Sequence, residues 1–309
     1  MSPAVLAQAT STVAVVVTFH PDAERLLEGL HAILPQVDAV VVVDNGSSAP
    51  ILDAISELGR VTVLKLEANH GIGFAQNRGI DWARSRQADF VLLLDQDSVA
   101  ADDMVARLRR AHDELAAGGV RIGPVGPAQV DGFNASLARF TCFRRARYSQ
   151  VTVPPEKASM ACDVLIASGS LIPITVLDAV GAMNEDLFID KVDTEWCLRV
   201  GRAGYEIHGV PAARLYHRLG ESALTVSWWR GKRLPVHKPF RYYYMVRNSI
   251  LLQRMPRMRW GWRTADLSQM VQIILFHGLL APASRQNRPM ILRGLRDGIS
   301  AVSGPISKA

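Results

Sequence analysis

Cysteine is scarce in this chain: Cys142, Cys162 and Cys197 are its three, widely spaced and without a CxxC pair. An odd, scattered set supports neither a disulfide framework nor a zinc site, and it fits a reducing cytoplasm. Long apolar runs are missing as well. The most apolar late stretch, residues 271–281, is interrupted by Gln272 and His277 and falls short of the ~20 residues that a membrane span requires. Residues 1–12 lack a basic start followed by an apolar stretch and a cleavage site, so no signal peptide is expected. Acidic residues are nearly absent from residues 226–300, which carry 14 Lys and Arg against 2 Asp and Glu, whereas residues 1–225 carry 20 against 27. This skew fits an anionic partner for the C-terminal segment: lipid headgroups, a lipid diphosphate or nucleic acid. No recognised nucleic-acid module accompanies it, so nucleic acid is not expected. A packed helical subdomain or a contact between copies in a homo-oligomer accounts for the same segment, with its arginines merely solvated, and these readings stay open beside the membrane surface.

What is present is ordinary globular material, 309 residues with 49% hydrophobic and 21% charged side chains, enough to bury a substantial core. Residues 13–18, 39–44, 61–66 and 90–95 are apolar, largely β-branched runs, separated by helical patterns over 22–34, 51–58 and 73–86. Near-continuous apolar strands alternating with helices predict a mostly parallel sheet covered on both faces. Further along, the pattern predicts a helix over 104–117, a Gly/Pro-rich strand-and-loop section over 123–155 and a strand over 164–172. A helix over 193–204 and short strands at 206–210 and 214–217, the latter at a sheet edge, follow. From residue 228 the sequence reads as helical, aromatic and Arg-rich, with helices over 241–254, 264–280 and 287–299.

Parallel sheets bind ligands beyond the carboxyl ends of their strands, and here those ends are polar. They read Thr18-Phe19-His20-Pro21, Asp44-Asn45-Gly46-Ser47-Ser48, Asn69-His70-Gly71 and Asp95-Gln96-Asp97. The last places two carboxylates at the end of an apolar strand, a ligand type that hard cations such as Mg²⁺ or Mn²⁺ combine with phosphate oxygens and water. An Asp in the position of Asp44 can accept from a pyrimidine N–H while Asn45 and Ser47 shape the turn. The glycines after Asn69 permit close backbone approach before a helix N-terminus that favours anions. Taken singly, each motif also reads as a solvated turn or a helix cap. Asp193, at a helix start, is open to the same capping reading, and His217 to that of a hydrogen-bonded structural histidine. Trp228-Trp229 and Tyr242-Tyr243-Tyr244 fit sugar stacking or a bilayer interface, while the spacing of Tyr243, Val246, Arg247 and Ile250 fits a plain amphipathic core helix.

Taken in order over about residues 13–250, these motifs, with Leu94-Asp95-Gln96-Asp97-Ser98 and Leu187 to Arg199, resemble the family 2 glycosyltransferases and their bacterial rhamnosyltransferase branch. The resemblance implies a GT-A nucleotide-diphospho-sugar transferase fold, an α/β architecture with helices on both faces of a mixed, mostly parallel sheet. It implies a catalytic domain over 1–225, with donor binding in about 13–125 and the acceptor side in about 126–225, and a basic helical extension over 226–309. Thr18 and Asp44 would contact the nucleoside. Asn69, Gly71 and Asn77 would surround the donor, with Asn45 and Gln96 in the same donor-facing turns, and Asp95 and Asp97 would flank Mg²⁺ or Mn²⁺ with His217 as a third ligand. Alignment on Cys197-Leu198-Arg199 makes Asp193 the catalytic base. It puts Val192 where the family commonly has Glu, a departure that Asp190 offsets only by proximity, and leaves Asp190, Glu195 and Trp196 on the acceptor side. The implied reaction is a single inverting displacement that moves L-rhamnose from dTDP-L-rhamnose to a polysaccharide, O-antigen or lipid-linked acceptor, in the cytoplasm or on the inner membrane face. A UDP-hexose or UDP-galactofuranose donor is the alternative on the same fold. A nucleotidyltransferase should show a basic Gly-rich loop where this chain has Thr18-Phe19-His20-Pro21; that class and a non-catalytic nucleotide-binding protein are the remaining alternatives.

Overall fold

The computed structural model describes residues 10–48, 50–130, 138–144, 147–217, 223–226, 232–256 and 258–307, with Arg144, His217, Ala223–Val226 and Lys232–Pro235 described by backbone alone. Trp228 and Trp229 lie outside the described residues.

The N-terminal half alternates as its apolar runs predict. β1 (Thr12–Thr18) is followed by α1 (Ala23–Ile33), β2 (Ala39–Asp44), α2 (Ile51–Ser56), β3 (Val61–Lys65), α3 (Ile72–Ser85) and β4 (Phe90–Asp95). Asp22 caps α1, its carboxylate accepting from the amide of Arg25 and so satisfying one of the free first-turn donors. β3, β2, β1 and β4 lie side by side and parallel. Successive residues of β1 feed opposite faces: Val13, Val15 and Val17 join one hydrophobic cluster, Ala14 and Val16 the other. All are buried, at about 1.5–3 kcal/mol for each fully buried large aliphatic side chain, which is why these runs are continuous rather than alternating in polarity.

The second half completes the sheet. β5 (Ser98–Ala100) and α4 (Met104–Ala117) precede β6 (Ile122–Val130), the hairpin β7 (Ala138–Arg144) and β8 (Arg147–Val153), and β9 (Met160–Cys162). β10 (Leu171–Pro173), α5 (Ile174–Val180), α6 (Val192–Arg202) and β11 (Glu206–His217) follow. The sheet order is β3-β2-β1-β4-β10-β6-β11-β5, with β9 also on β11; β10 runs antiparallel to β4 and β6, and β11 runs parallel to β6. The C-terminal part holds the hairpin β12 (Ala223–Val226) and β13 (Lys232–Pro235), then α7 (Pro239–Gln253), α8 (Trp260–Gln272), a π-helical continuation (Ile273–Leu280) and α9 (Ser284–Ile299).

Four sequence expectations are corrected. The strand expected over 164–172 is confined to Leu171–Pro173, because the chain turns at Gly169 (φ +88°), where the Ser170 amide donates to Ala167. The two short strands expected at 206–210 and 214–217 are one strand, Glu206–His217, with a register shift between Val210 and Arg214; Pro211 has no N–H for the ladder there. That strand is not an edge, since β6 flanks it on one side and β5 and β9 on the other. The region after residue 228 includes β13, paired antiparallel to β12, before the helices begin.

Candidate active site

The register of the parallel strands brings the polar ends together. Thr18 pairs with Asp44, and Val17, one residue earlier, pairs with Asp95, so three strand ends stop at one level of the sheet. A cleft of about 310 Å³ opens there, walled on the strand side by Thr18, Asn45, Asp95, Gln96 and Asp97, with Asn69 and Gly71 beside them. Its opposite wall is apolar: Phe188, Ile189 and Phe240.

Local hydrogen bonds decide which side chains remain available to a ligand. Asp44 is fully buried and already accepts from Thr18 Oγ1 (2.8 Å), Ser47 Oγ (2.6 Å) and the Ser47 amide (2.7 Å). It braces the strand-end turn and presents its neighbour Asn45 to the cleft, with the Thr18 hydroxyl engaged in the same brace. Asn45 in turn donates to Asn69 Oδ1 (3.1 Å) and accepts from the His70 amide (2.9 Å). Gln96 accepts from the Phe19 amide (2.7 Å), tying the ends of β1 and β4 together.

Asp95 and Asp97 are half-buried at the cleft. Behind them Ser168 Oγ accepts from the Asp95 amide (3.0 Å) and meets Ser98 Oγ (2.8 Å), while the Gly169 amide donates to Leu93 O (2.7 Å). A Cβ at Gly169 would come within 2.5 Å of the Pro127 ring, so only glycine lets this turn seat against β4. Two carboxylates suit a hard cation that shares phosphate oxygens; among the described residues no group of three or more His, Cys, Asp and Glu gathers to hold a metal ion. The side chain of His217, the third expected ligand, lies outside the description; its backbone pairs with Ser98, close in sequence to Asp97.

On the acceptor side the outcome divides. Asp193 sits in the first turn of α6, half-buried, its Oδ1 accepting from the free amide of Thr194 (2.6 Å). Burial pushes its carboxyl above the usual aspartate range and the nearby Asp190 adds to this, while the Thr194 amide works against it. It is not among the residues that line the cleft, and it follows the lining residues Phe188 and Ile189 closely in sequence. Glu195 and Trp196, also on α6, are turned into the protein interior. Glu195 is buried and held in both oxygens by Arg199 (2.7 and 2.9 Å), and the Trp196 indole donates to Gly181 O (2.8 Å). Asn77 is buried as well, its amide exchanging hydrogen bonds with the Met183 backbone (3.0 and 2.9 Å) and donating to Glu185 (2.7 Å). Asp190 is engaged by Arg241 (2.6 Å). Tyr242, Tyr243 and Tyr244 are each 1% exposed and belong to the interior, not to a sugar or a bilayer. Cys197, one turn along α6 from Asp193, is buried with its thiol pushed up to about 12 by burial, which removes it as a nucleophile.

The loop before α6 is strained. Phe188 (φ +64°), Asp190 (φ +63°) and Lys191 (φ +66°) are non-glycine residues in positive-φ backbone, a conformation costing on the order of 1–3 kcal/mol at each position. Phe188 is the centre of a γ-turn, closed by the Ile189 amide on Leu187 O (2.8 Å). Its own carbonyl accepts from the Ile72 amide at the start of α3 (2.7 Å). A Cβ on Gly71 (φ +92°) would stand 2.5 Å from that carbonyl oxygen. The close approach expected of Gly71 is therefore to the loop, and the α3 start is partly spent on it. Ser168, Phe188, Ile189 and Phe240 escaped the sequence reading, because nothing in a serine or an isolated aromatic tells which surface it will line.

A family model, Glycosyl transferase family 2, matches residues 14–163. The dTDP-rhamnosyl transferase RfbF of Shigella flexneri is 29% identical over 296 residues, covering 94% of this chain and 96% of that protein. The chain belongs to glycosyl transferase family 2. This family 2 enzyme also shares 33% identity over 144 residues with the succinoglycan biosynthesis protein ExoO of Rhizobium meliloti, covering 45% of the transferase and 40% of ExoO. Its fold is the GT-A fold, matching S. aureus TarS 1-349 with a TM-score of 0.58 at 16% identity over 95% of the transferase and 81% of TarS 1-349. GalNAc-T7, solved with UDP, GalNAc and Mn²⁺, matches at 0.57 and 14% identity, over 96% of the transferase and 58% of GalNAc-T7.

Proposed function

We propose that this transferase moves L-rhamnose from dTDP-L-rhamnose to a saccharide or lipid-linked saccharide acceptor, with inversion at the anomeric carbon. The observation that carries the donor choice is the likeness to dTDP-rhamnosyl transferase RfbF over nearly the whole of both chains, which includes the acceptor side as well as the strand ends. Asn45, Asn69 and Gln96, in the cleft wall, bind the donor, and Thr18 and Asp44 hold the turn that presents Asn45. Asp95 and Asp97 would hold a divalent cation, Mg²⁺ or Mn²⁺, whose chemistry is to neutralise the diphosphate; the two hard oxygen ligands at the cleft fit it.

Asp193 takes the proton of the acceptor hydroxyl as that oxygen attacks the anomeric carbon from the face opposite the nucleotide. The bond to the diphosphate oxygen breaks in the same step. A carboxylate whose pKa is lifted by burial is a stronger base than an exposed one, and with Cys197 protonated and buried no covalent enzyme intermediate is called for. The basic residues of 226–300 support work at an anionic membrane surface, where lipid-linked acceptors are presented; no helix among the described residues is long and apolar enough to cross a membrane.

The test is a donor panel by calorimetry and by acceptor-free hydrolysis. dTDP-rhamnose should bind and turn over in preference to UDP-glucose, UDP-galactose and UDP-galactofuranose. A selective response to a UDP-sugar would reject the rhamnose assignment and leave the fold untouched.

A further inference from the structure

We infer that Arg247 and Asn248, adjacent buried residues of α7, are positioning residues that hold the strained loop 188–191 in the shape that delivers Asp193 to the acceptor. This rests on the reading of Asp193 as the base.

Both side chains are fully buried, and both point their donors at the backbone of this one segment. The Asn248 amide nitrogen lies 3.0 Å from Leu187 O, 2.8 Å from Ile189 O and 2.9 Å from Asp190 O. Arg247 Nη2 donates to Leu187 O (3.0 Å) and Asp186 O (3.2 Å), while its Nε donates to Asn248 Oδ1 (2.9 Å) and so orients the amide with its nitrogen toward the loop. A guanidinium has donors only, and an amide NH₂ is the donor end of its group, so the pair is matched to a run of carbonyl oxygens turned inward. Those carbonyls face inward because of the positive-φ residues Phe188, Asp190 and Lys191; in relaxed backbone they would point elsewhere, and such conformers persist only where the surroundings over-determine them.

The hydrogen bonds of Arg247 go to backbone carbonyls and the Asn248 amide, and its guanidinium lies 4.8 Å from the Tyr244 ring centroid. Tyr244 in turn stacks on Phe188 (5.0 Å, 17°). A buried charge satisfied by the loop's own carbonyls is costly to leave without them, which makes the loop's shape and the burial of Arg247 mutually dependent. Phe188 and Ile189 line the cleft and Asp193 begins two residues past Lys191. The same clamp therefore fixes the cleft's apolar wall and the base together.

The experiment uses the full chain. Asn248→Asp keeps the volume but sets an acceptor against three carbonyl oxygens, and Arg247→Lys keeps the charge but loses the fork. Hydrogen exchange by mass spectrometry should show the amides of 186–193 opening about tenfold or more faster in either variant, with β1, β2 and β4 unchanged. Turnover should fall roughly 100-fold, as expected of a base displaced by about 1 Å. The acid limb of the rate profile should also move toward the ordinary aspartate range as Asp193 gains water.

Exchange in 186–193 that matches the wild type, or a loosened loop with wild-type turnover, would overturn the inference. So would exchange that rises everywhere with activity falling in proportion to folded protein. If Asn248→Asp does not fold, Arg247→Lys decides by the same readings. Near-normal turnover of Asp193→Asn would defeat the base assignment alone, because the exchange contrast does not depend on Asp193.

Discussion

At the scale of single residues, the site turns on which polar groups are already spent. Asp44, Asn77, Glu195 and Trp196 are each hydrogen-bonded inside the protein to partners from other turns or elements, whereas the carboxylate of Asp193 is hydrogen-bonded, among the described residues, by Thr194 alone. That leaves it a lone pair for an acceptor proton. Replacing Asp193 by Asn removes the proposed base with little change in shape, so turnover should fall by about 10²–10⁴-fold with donor affinity by calorimetry nearly unchanged. In the wild type, kcat/KM should decline as pH falls through a value above the ordinary aspartate pKa. The raised pKa means that the active, ionised form is lost earlier on acidification. A limb at or below the ordinary aspartate value would contradict the assignment.

At the scale of elements, the end of β4 depends on a turn from a different part of the chain. Residues 168–170 bond to β4 through the Gly169 amide and Ser168 Oγ, and Gln129 of β6 holds Ser168 O (2.8 Å). Gly169→Ala would meet both a positive-φ penalty of about 1–2 kcal/mol and a 2.5 Å approach to Pro127. The expected outcome is a destabilisation on the order of 1–3 kcal/mol, measured by denaturant unfolding. It should come with a loss of metal-stimulated transfer greater than the loss of folded protein, because the turn carries the Asp95 backbone with it. The sequence suggested a strand here, since Val164, Leu165, Leu171 and Ile172 are apolar and buried; periodicity alone cannot show that the chain bends between two such pairs.

At the scale of the whole molecule, the C-terminal helices are joined to the catalytic layers. Leu252, Met258 and Trp262 pack in the same hydrophobic cluster as Val15, Leu93 and Trp196. Lys191 reaches from the start of α6 to Asp266 (2.7 Å) and Gln269 (2.9 Å) on α8. We therefore expect residues 10–307 to unfold as one cooperative unit rather than as separate 1–225 and 226–309 domains. Trp262→Ala should cost about 3–5 kcal/mol and shift a single transition seen alike by near-ultraviolet and far-ultraviolet dichroism. Two separated transitions would restore the two-domain division.

The apolar runs by themselves determined the alternation of β1 to β4 with their helices, because a strand buried on both faces must be apolar at every position. For the same reason they determined that Thr18, Asp44 and Asp95 end strands. The order of polar strand ends made the family legible. Only the tertiary structure decided which of those groups face the cleft, since burial and hydrogen-bond saturation depend on partners far away in sequence. Asn77 finds Met183, and Asp95 finds Ser168. It alone also decided the partners of Arg247 and the place of Asn248 and Asp266, two polar residues in helical patterns that look like solvated positions until the loop before Asp193 closes over them.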